Sequence, residues 1–135
     1  MSKVFLDSNI LIYLYTTDEV KKSTDIRNLL QNYADIAIST QVLFEFTHVM
    51  RRKFKRDYSD IEKILKEFHK AFDIILITYN TLQYALQIAA KHNYSFPDSL
   101  IIATALEADC EILFSEDMHN EHIIENRLKI ANPLK

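Results

Sequence analysis

Glycine is missing from this chain altogether, although it runs to 135 residues. Glycine alone enters left-handed backbone without a steric penalty, so turns needing positive φ must be made mainly with Asn, Asp or strained residues. Gly-rich phosphate loops of the nucleotide-binding kind are excluded outright. Cysteine is almost as scarce: Cys110 stands alone and cannot form an internal disulfide, which suits a reducing compartment. No apolar run approaches the roughly 18 to 20 residues of a membrane span. The opening run Val4-Phe5-Leu6 is cut at once by Asp7, leaving neither a charged leader nor a signal core. Together these absences predict a cytoplasmic protein with no membrane association.

A surplus of positive charge is lacking too. The net charge of -3 argues against a broadly basic nucleic-acid binder, so any polyanionic substrate must be gripped locally. What is present is ordinary for a globular protein: 48% hydrophobic and 26% charged residues, too apolar for disorder. The length fits one core, and no repeat, low-complexity stretch or Pro/Gly/Ser linker divides it. A single domain over residues 1–135 is expected.

Short β-rich runs alternate with helical patterns. Val4–Leu6 reads as a strand, Ile10–Leu14 as a short helix or turn, and Thr24–Tyr33 as an amphipathic segment. Ile36–Ile38 reads as a strand, after which Ser39 or Thr40 can cap a helix reaching about Phe54. Tyr58-Ser59-Asp60 opens another helix, with Ser59 as N-cap and Glu62 completing a capping box. The β-branched run Ile74–Ile77 resembles a strand buried on both faces of a parallel sheet. Asn80 starts a helix to about His92, and Pro97 suits the first turn of the one carrying Leu100, Ile101 and Ala105. Ile112–Phe114 is a strand ending in Ser115-Glu116-Asp117, and Leu128–Ile130 adds a short last one.

Strands separated by helices imply βαβ crossovers, hence an α/β fold: a three-layer α/β/α sandwich with a mainly parallel sheet. Ligands on such sheets bind just past the carboxyl ends of the strands. Asp7 directly follows the first strand, and Asp117 follows the strand ending at Phe114, so both belong to that edge. Asp98 lies in the opening turn of its helix, where the helix dipole favours a carboxylate and a plain capping acid is also accommodated. Glu45 sits at the border of the stripe Val42, Leu43, Phe46, Val49 and Met50, half turned toward the core. A carboxylate so placed is costly unless something positive meets it, or its head reaches water.

Clustered carboxylates repel one another and raise each other's pKa, so a pocket of several calls for cations. Hard oxygen donors select Mg²⁺ or Mn²⁺, and no Cys/His cluster at zinc spacing competes. The five histidines, His48, His69, His92, His119 and His122, read as scattered surface or boundary residues.

The segments Val4–Leu11, Ile38–Glu45, Phe96–Ala103 and Leu113–Met118, with the terminal Ala131-Asn132-Pro133, resemble PIN-domain ribonucleases, most closely VapC-type toxins of toxin–antitoxin pairs. The resemblance covers nearly the whole chain and rests on four acidic motifs in order. It implies a PIN-like fold, RNA cleavage with Mg²⁺ or Mn²⁺, a homodimer, and a cognate antitoxin whose basic or amphipathic segment fills a groove. It places Asp7, Glu45, Asp98 and Asp117 as catalytic metal ligands, with Asp7 and Asp98 foremost, and Asn9 and Ser115 as supporting groups. Asp109 and Glu121 depart from the family, which often has glycine at or near these places; altered turns are expected there, and added charge near the pocket from Glu121.

On this reading metal-activated water cleaves single-stranded or loop RNA, Glu45 serving as ligand or proton acceptor. Arg51, Arg52, Lys53, Lys55 and Arg56 form the one dense basic cluster; they complement a helix end or grip RNA phosphates leading to the acids. Tyr13, Tyr15, Phe54 and Tyr58 are expected in core or boundary packing, with partner contact as the alternative. Rival functions are a housekeeping RNA-processing nuclease, a Mg²⁺-dependent phosphohydrolase with Asp7 as nucleophile, and a non-catalytic acidic binding module. The phosphohydrolase normally wants a second Asp where this chain has Asn9.

Overall fold

The structure is a computed structural model that describes residues 2–135. Its elements are β1 (Lys3–Leu6), α1 (Ser8–Tyr13), α2 (Val20–Leu30), β2 (Asp35–Ser39), α3 (Thr40–Arg52), α4 (Tyr58–Ala71), β3 (Asp73–Ile75), α5 (Tyr79–His92), α6 (Phe96–Glu107), β4 (Ile112–Phe114), β5 (Ile123–Ile124) and β6 (Leu128–Ala131). The six strands run in the order β3-β2-β1-β4-β6-β5, all neighbours parallel except β5 with β6. Among the described residues no helix is long and apolar enough to cross a membrane.

Strand β1 is central because Val4, Phe5 and Leu6 are all fully buried and accept helices on both faces. Successive strands step away from it to β2 and β3 on one side, while β4 returns to the other. The direction of winding therefore reverses between β1 and β4, which is where open α/β sheets bind ligands. Helix α6 is buried continuously from Ser99 to Leu106 and packs against α5. Its composition matches: Leu-Ile-Ile-Ala-Thr-Ala-Leu has no polar face to turn outward. Helices α1 to α4 pack among themselves, and α3 brings Val42, Phe46 and Met50 into the core as its stripe requires. Phe46 meets Tyr15 and Phe68 edge-on, with ring centroids 6.1 and 5.0 Å apart. Phe46→Ala is expected to cost about 3 to 5 kcal/mol, read from urea unfolding.

Several expectations change. The Ile74–Ile77 run is not a doubly buried strand: β3 ends at Ile75, lies at the sheet edge, and leaves Ile74 and Ile75 half-buried and Leu76 exposed. A β-branched run signals a strand but not its place in the sheet. Helix α4 begins one residue before Ser59, with Asp57 at the N-cap and no side-chain cap, so the Ser59–Glu62 box does not form. A capping box closes instead at α5, between Thr78 and Thr81. Strand β5 escapes a sequence reading because two residues carry no period. Tyr13, Tyr15 and Phe54 pack against the core, whereas Tyr58 is exposed.

Positive φ occurs at Lys55, Asn93, Asp109, Glu121, Glu125 and Asn126. Half of these are the Asn and Asp expected of a glycine-free chain. Asp109 (φ 59°) and Glu121 (φ 71°), where the resemblance would put glycine at or nearby, both stand in the left-handed region. Glu121 pairs with Lys129 at 3.0 Å, so its charge is met on β6.

Candidate active site

Asp7 leaves β1 at the point where the winding reverses and serves as N-cap of α1. Its Oδ1 accepts from the backbone N–H of Ser8 at 2.7 Å, and its Oδ2 accepts from the Ser115 hydroxyl at 2.7 Å. Only 4% of the residue is exposed. Burial raises its pKa from 3.8 to about 6; the hydrogen bonds from Ser115 and Ser8 oppose this, and the carboxylates of Glu45 and Asp98 add to it.

The other acids arrive from three elements. Asp117 lies just past β4; its backbone N–H donates to Ser115 Oγ at 3.3 Å, and its carboxylate accepts from Asn9 Nδ2 at 3.0 Å. Asn9 Oδ1 in turn accepts from the N–H of Glu116 at 3.3 Å. Asn9 and Ser115 thus tie the β1 and β4 ends together and orient Asp117 and Asp7. Glu45 stands on α3, half-buried, accepting from Ser8 Oγ at 3.0 Å and from Gln41 Nε2 at 3.2 Å. Asp98 stands in the first turn of α6 behind the Ser95 cap. Burial raises its pKa, Ser95 opposes, and the Asp117 carboxylate raises it further.

Asp7 and Glu45 share the Ser8 hydroxyl, at 3.5 and 3.0 Å; the Asp98 carboxylate raises the pKa of Asp7 and that of Asp117 raises Asp98, while Asp117 itself is exposed. Among the described residues, no three acidic, histidine or cysteine groups are already drawn in to hold one ion. Asp7 is held by the Ser8 N–H and the Ser115 hydroxyl, Glu45 by the Ser8 hydroxyl and Gln41, and Asp117 by Asn9. The donor set is all oxygen, negative and partly desolvated, which fits a hard divalent cation. It also fits poorly without one, because burial opposes ionisation of Asp7 and Asp98.

Three contributors were not singled out in the sequence. Ser8 bridges toward both Asp7 and Glu45. Gln41 precedes Glu45 by one helical turn, a spacing that could have been noticed. Glu116 accepts from Tyr13 OH at 2.8 Å and lies 3.8 Å from Lys22, beside the pocket rather than in it.

The basic cluster starts at the C-terminal end of α3. Arg51, Arg52, Lys53 and Lys55 are exposed, while half-buried Arg56 donates to the Tyr15 carbonyl at 3.2 Å and braces the fold. The Arg51 guanidinium lies 4.6 Å from the Tyr58 ring centre, beside exposed Phe44 in a cavity of about 330 Å³. The histidines are less scattered than expected. His92, His119 and His122 gather around Tyr94, whose hydroxyl meets His122 Nδ1 at 2.8 Å, because the end of α5 folds against the loop before β5.

A PIN-domain family model matches residues 4–123. No curated protein sequence matches the chain. Among solved structures, VapC20 of Mycobacterium tuberculosis, a Sarcin-Ricin loop cleaving toxin, is similar at 16% identity, covering 85% of this chain and 92% of that one, with a TM-score of 0.71. A toxin–antitoxin complex from Klebsiella pneumoniae is similar at 22% identity over 98% of both chains, TM-score 0.71. VapBC2 from Rickettsia felis, bound to a promoter DNA fragment, is similar at 19% identity over 96% of this chain and 98% of that one, TM-score 0.68. At these identities the likeness is one of fold.

Proposed function

This chain belongs to the PIN-domain family, and from that premise we propose that it is a Mg²⁺- or Mn²⁺-dependent endoribonuclease, the toxin of a toxin–antitoxin pair. The observation that carries the reading is Asp7, buried where the sheet winding reverses, with its pKa raised to about 6 and the Ser8 hydroxyl linking it to the Glu45 carboxylate. A fold that keeps such a group has a use for its charge.

Asp7 and Asp98 would hold the ion, with Glu45 and Asp117 completing the oxygen set. A divalent cation there supplies Lewis-acid chemistry, making water nucleophilic at neutral pH and offsetting charge as the P–O bond breaks. Ser115 and the Ser8 N–H fix the Asp7 carboxylate, and Asn9 aims that of Asp117. Glu45, hydrogen-bonded and half-buried, would serve either as a ligand or as acceptor of the proton from the attacking water. The phosphohydrolase reading loses ground because Asn9 donates its amide to Asp117, a role a second Asp would not fill. Mg²⁺-dependent cleavage of RNA, lost in both Asp7→Asn and Asp98→Asn while folding persists, tests the function; cleavage surviving both changes refutes it.

The antitoxin partner rests on the Klebsiella and Rickettsia neighbours being toxin–antitoxin assemblies. A cavity of about 240 Å³ adjoining Asn9, walled by Ile12, Tyr13, Val49 and Phe54 with Asp18, Glu19 and Lys53 at its side, suits an amphipathic segment. Tyr79, Leu82 and Leu86, exposed at helical spacing on α5, suit a second copy in a homodimer. RNA would approach over Arg51 and Arg52. Reversing both to Glu is expected to weaken RNA binding roughly 10-fold and flatten its logarithmic salt dependence by roughly 1.4, as for two lost phosphate contacts on a single strand. Fluorescence anisotropy over a salt series checks this, and an unchanged slope removes the two arginines from the RNA path.

A further inference from the structure

We infer that Gln41 is a positioning residue of the acidic pocket, the strap that sets where Glu45 stands relative to Asp98; the inference rests on the metal-dependent reading of that pocket. Glu45 and Asp98 come from different helices, and nothing in either helix alone fixes their separation. Gln41 does so through a single amide group. Its Nε2 donates to Glu45 Oε2 at 3.2 Å and to the Pro97 carbonyl at 2.9 Å, the residue directly before Asp98.

The orientation of this amide is not arbitrary. Both partners are acceptors, so the NH₂ end must face them and Oε1 must point away. There it is buried and has no hydrogen-bond partner among the described residues. An unpaired buried carbonyl carries a desolvation cost that a leucine or methionine would avoid. Keeping Gln41 makes sense if its two donors are needed where they are.

The chemistry explains the need. Glu45 has one oxygen on Ser8 and the other on Gln41, so its carboxylate is held from two sides before any ion arrives. Groups that orient carboxylate ligands from behind commonly govern metal affinity or activity by about 10 to 100-fold without touching the ion. Gln41 lies one turn before Glu45 on the same side of α3, where that spacing brings side chains together.

The test is a double-mutant cycle on the full chain, reading Mn²⁺ affinity by calorimetry and folding by thermal unfolding. Gln41→Met keeps the shape and removes both donors. It is expected to weaken Mn²⁺ binding about 10 to 100-fold in the wild type, and to change it little once Glu45→Met is present, because no acceptor is then left at position 45 for the strap to hold. RNA cleavage should lose kcat with KM nearly unchanged. Should Gln41→Met unfold the protein, Mg²⁺ titration of the wild type followed by NMR takes its place: the Gln41 side-chain amide signals should shift in step with binding while those of Gln31, Gln83 and Gln87 stay still. Unchanged Mn²⁺ affinity in Gln41→Met, an equal loss in the Glu45→Met background, or an unresponsive Gln41 amide overturns the strap alone. A wild type that binds no Mn²⁺ overturns both the strap and the nuclease reading.

Discussion

Replacing Asp7 or Asp98 by Asn is expected to lower Mg²⁺-dependent RNA cleavage at least about 1000-fold, since holding the ion contributes several kcal/mol and each 1.36 kcal/mol is tenfold in rate. The loss should appear in kcat/KM for each variant. The two changes together should cost little more than either alone, because groups that act as a unit are far from additive. Asp7 should be the more severe. It is the most buried of the four acids, its pKa is raised further by the Glu45 and Asp98 carboxylates, and both of its oxygens are fixed by donors. Adding EDTA should abolish cleavage, and excess Mg²⁺ or Mn²⁺ should restore it in the wild type only. Cleavage assays on a short single-stranded RNA check all of this.

Asp7→Asn should move stability the other way. The folded state holds the Asp7 proton more tightly than the unfolded chain, since burial lifts the pKa from 3.8 to about 6. Below about pH 4 both states are protonated and the group has no effect on stability. As pH rises through the window from 3.8 to about 6, the folded protein progressively loses stability, reaching about 3 kcal/mol by pH 7. Asn carries no such penalty, and the Ser115 hydroxyl can rotate to meet its amide. The metal-free variant should therefore match the wild type near pH 4 and exceed it by up to about 3 kcal/mol at pH 7, roughly 10 °C in Tm. Thermal unfolding in EDTA over that pH range measures the gap. A gap that is absent or reversed at pH 7 would mean Asp7 is not desolvated as described.

Much of this was legible in the residues, for identifiable reasons. The sequence puts Asp7 and Asp117 at one sheet edge because Asp7 directly follows one apolar run and Asp117 closes the Ser115-Glu116-Asp117 segment after another, and parallel strands align their carboxyl ends. Glu45 was noticed because a carboxylate on the border of an apolar stripe is out of place. The role of Gln41 was not legible: its second partner is a carbonyl 56 positions away, and only the fold brings α3 to α6. Ser8 was hidden in the same way, since its link to Glu45 spans 37 positions. The edge position of β3 and the two-residue β5 were missed because strand signals carry no information about neighbours. The histidine group around Tyr94 joins the end of α5 to the loop before β5, again a tertiary fact.

Whether four carboxylates from separate elements act as one ion-binding unit is answered most directly by Mn²⁺ titration of the metal-free protein. Calorimetry on the wild type, Asp7→Asn and Asp98→Asn at pH 7.5 and pH 5 should find binding in the wild type that weakens in acid, as protons compete for Asp7, and little or none in either variant. Equal Mn²⁺ binding by all three proteins, or none by the wild type, would contradict it.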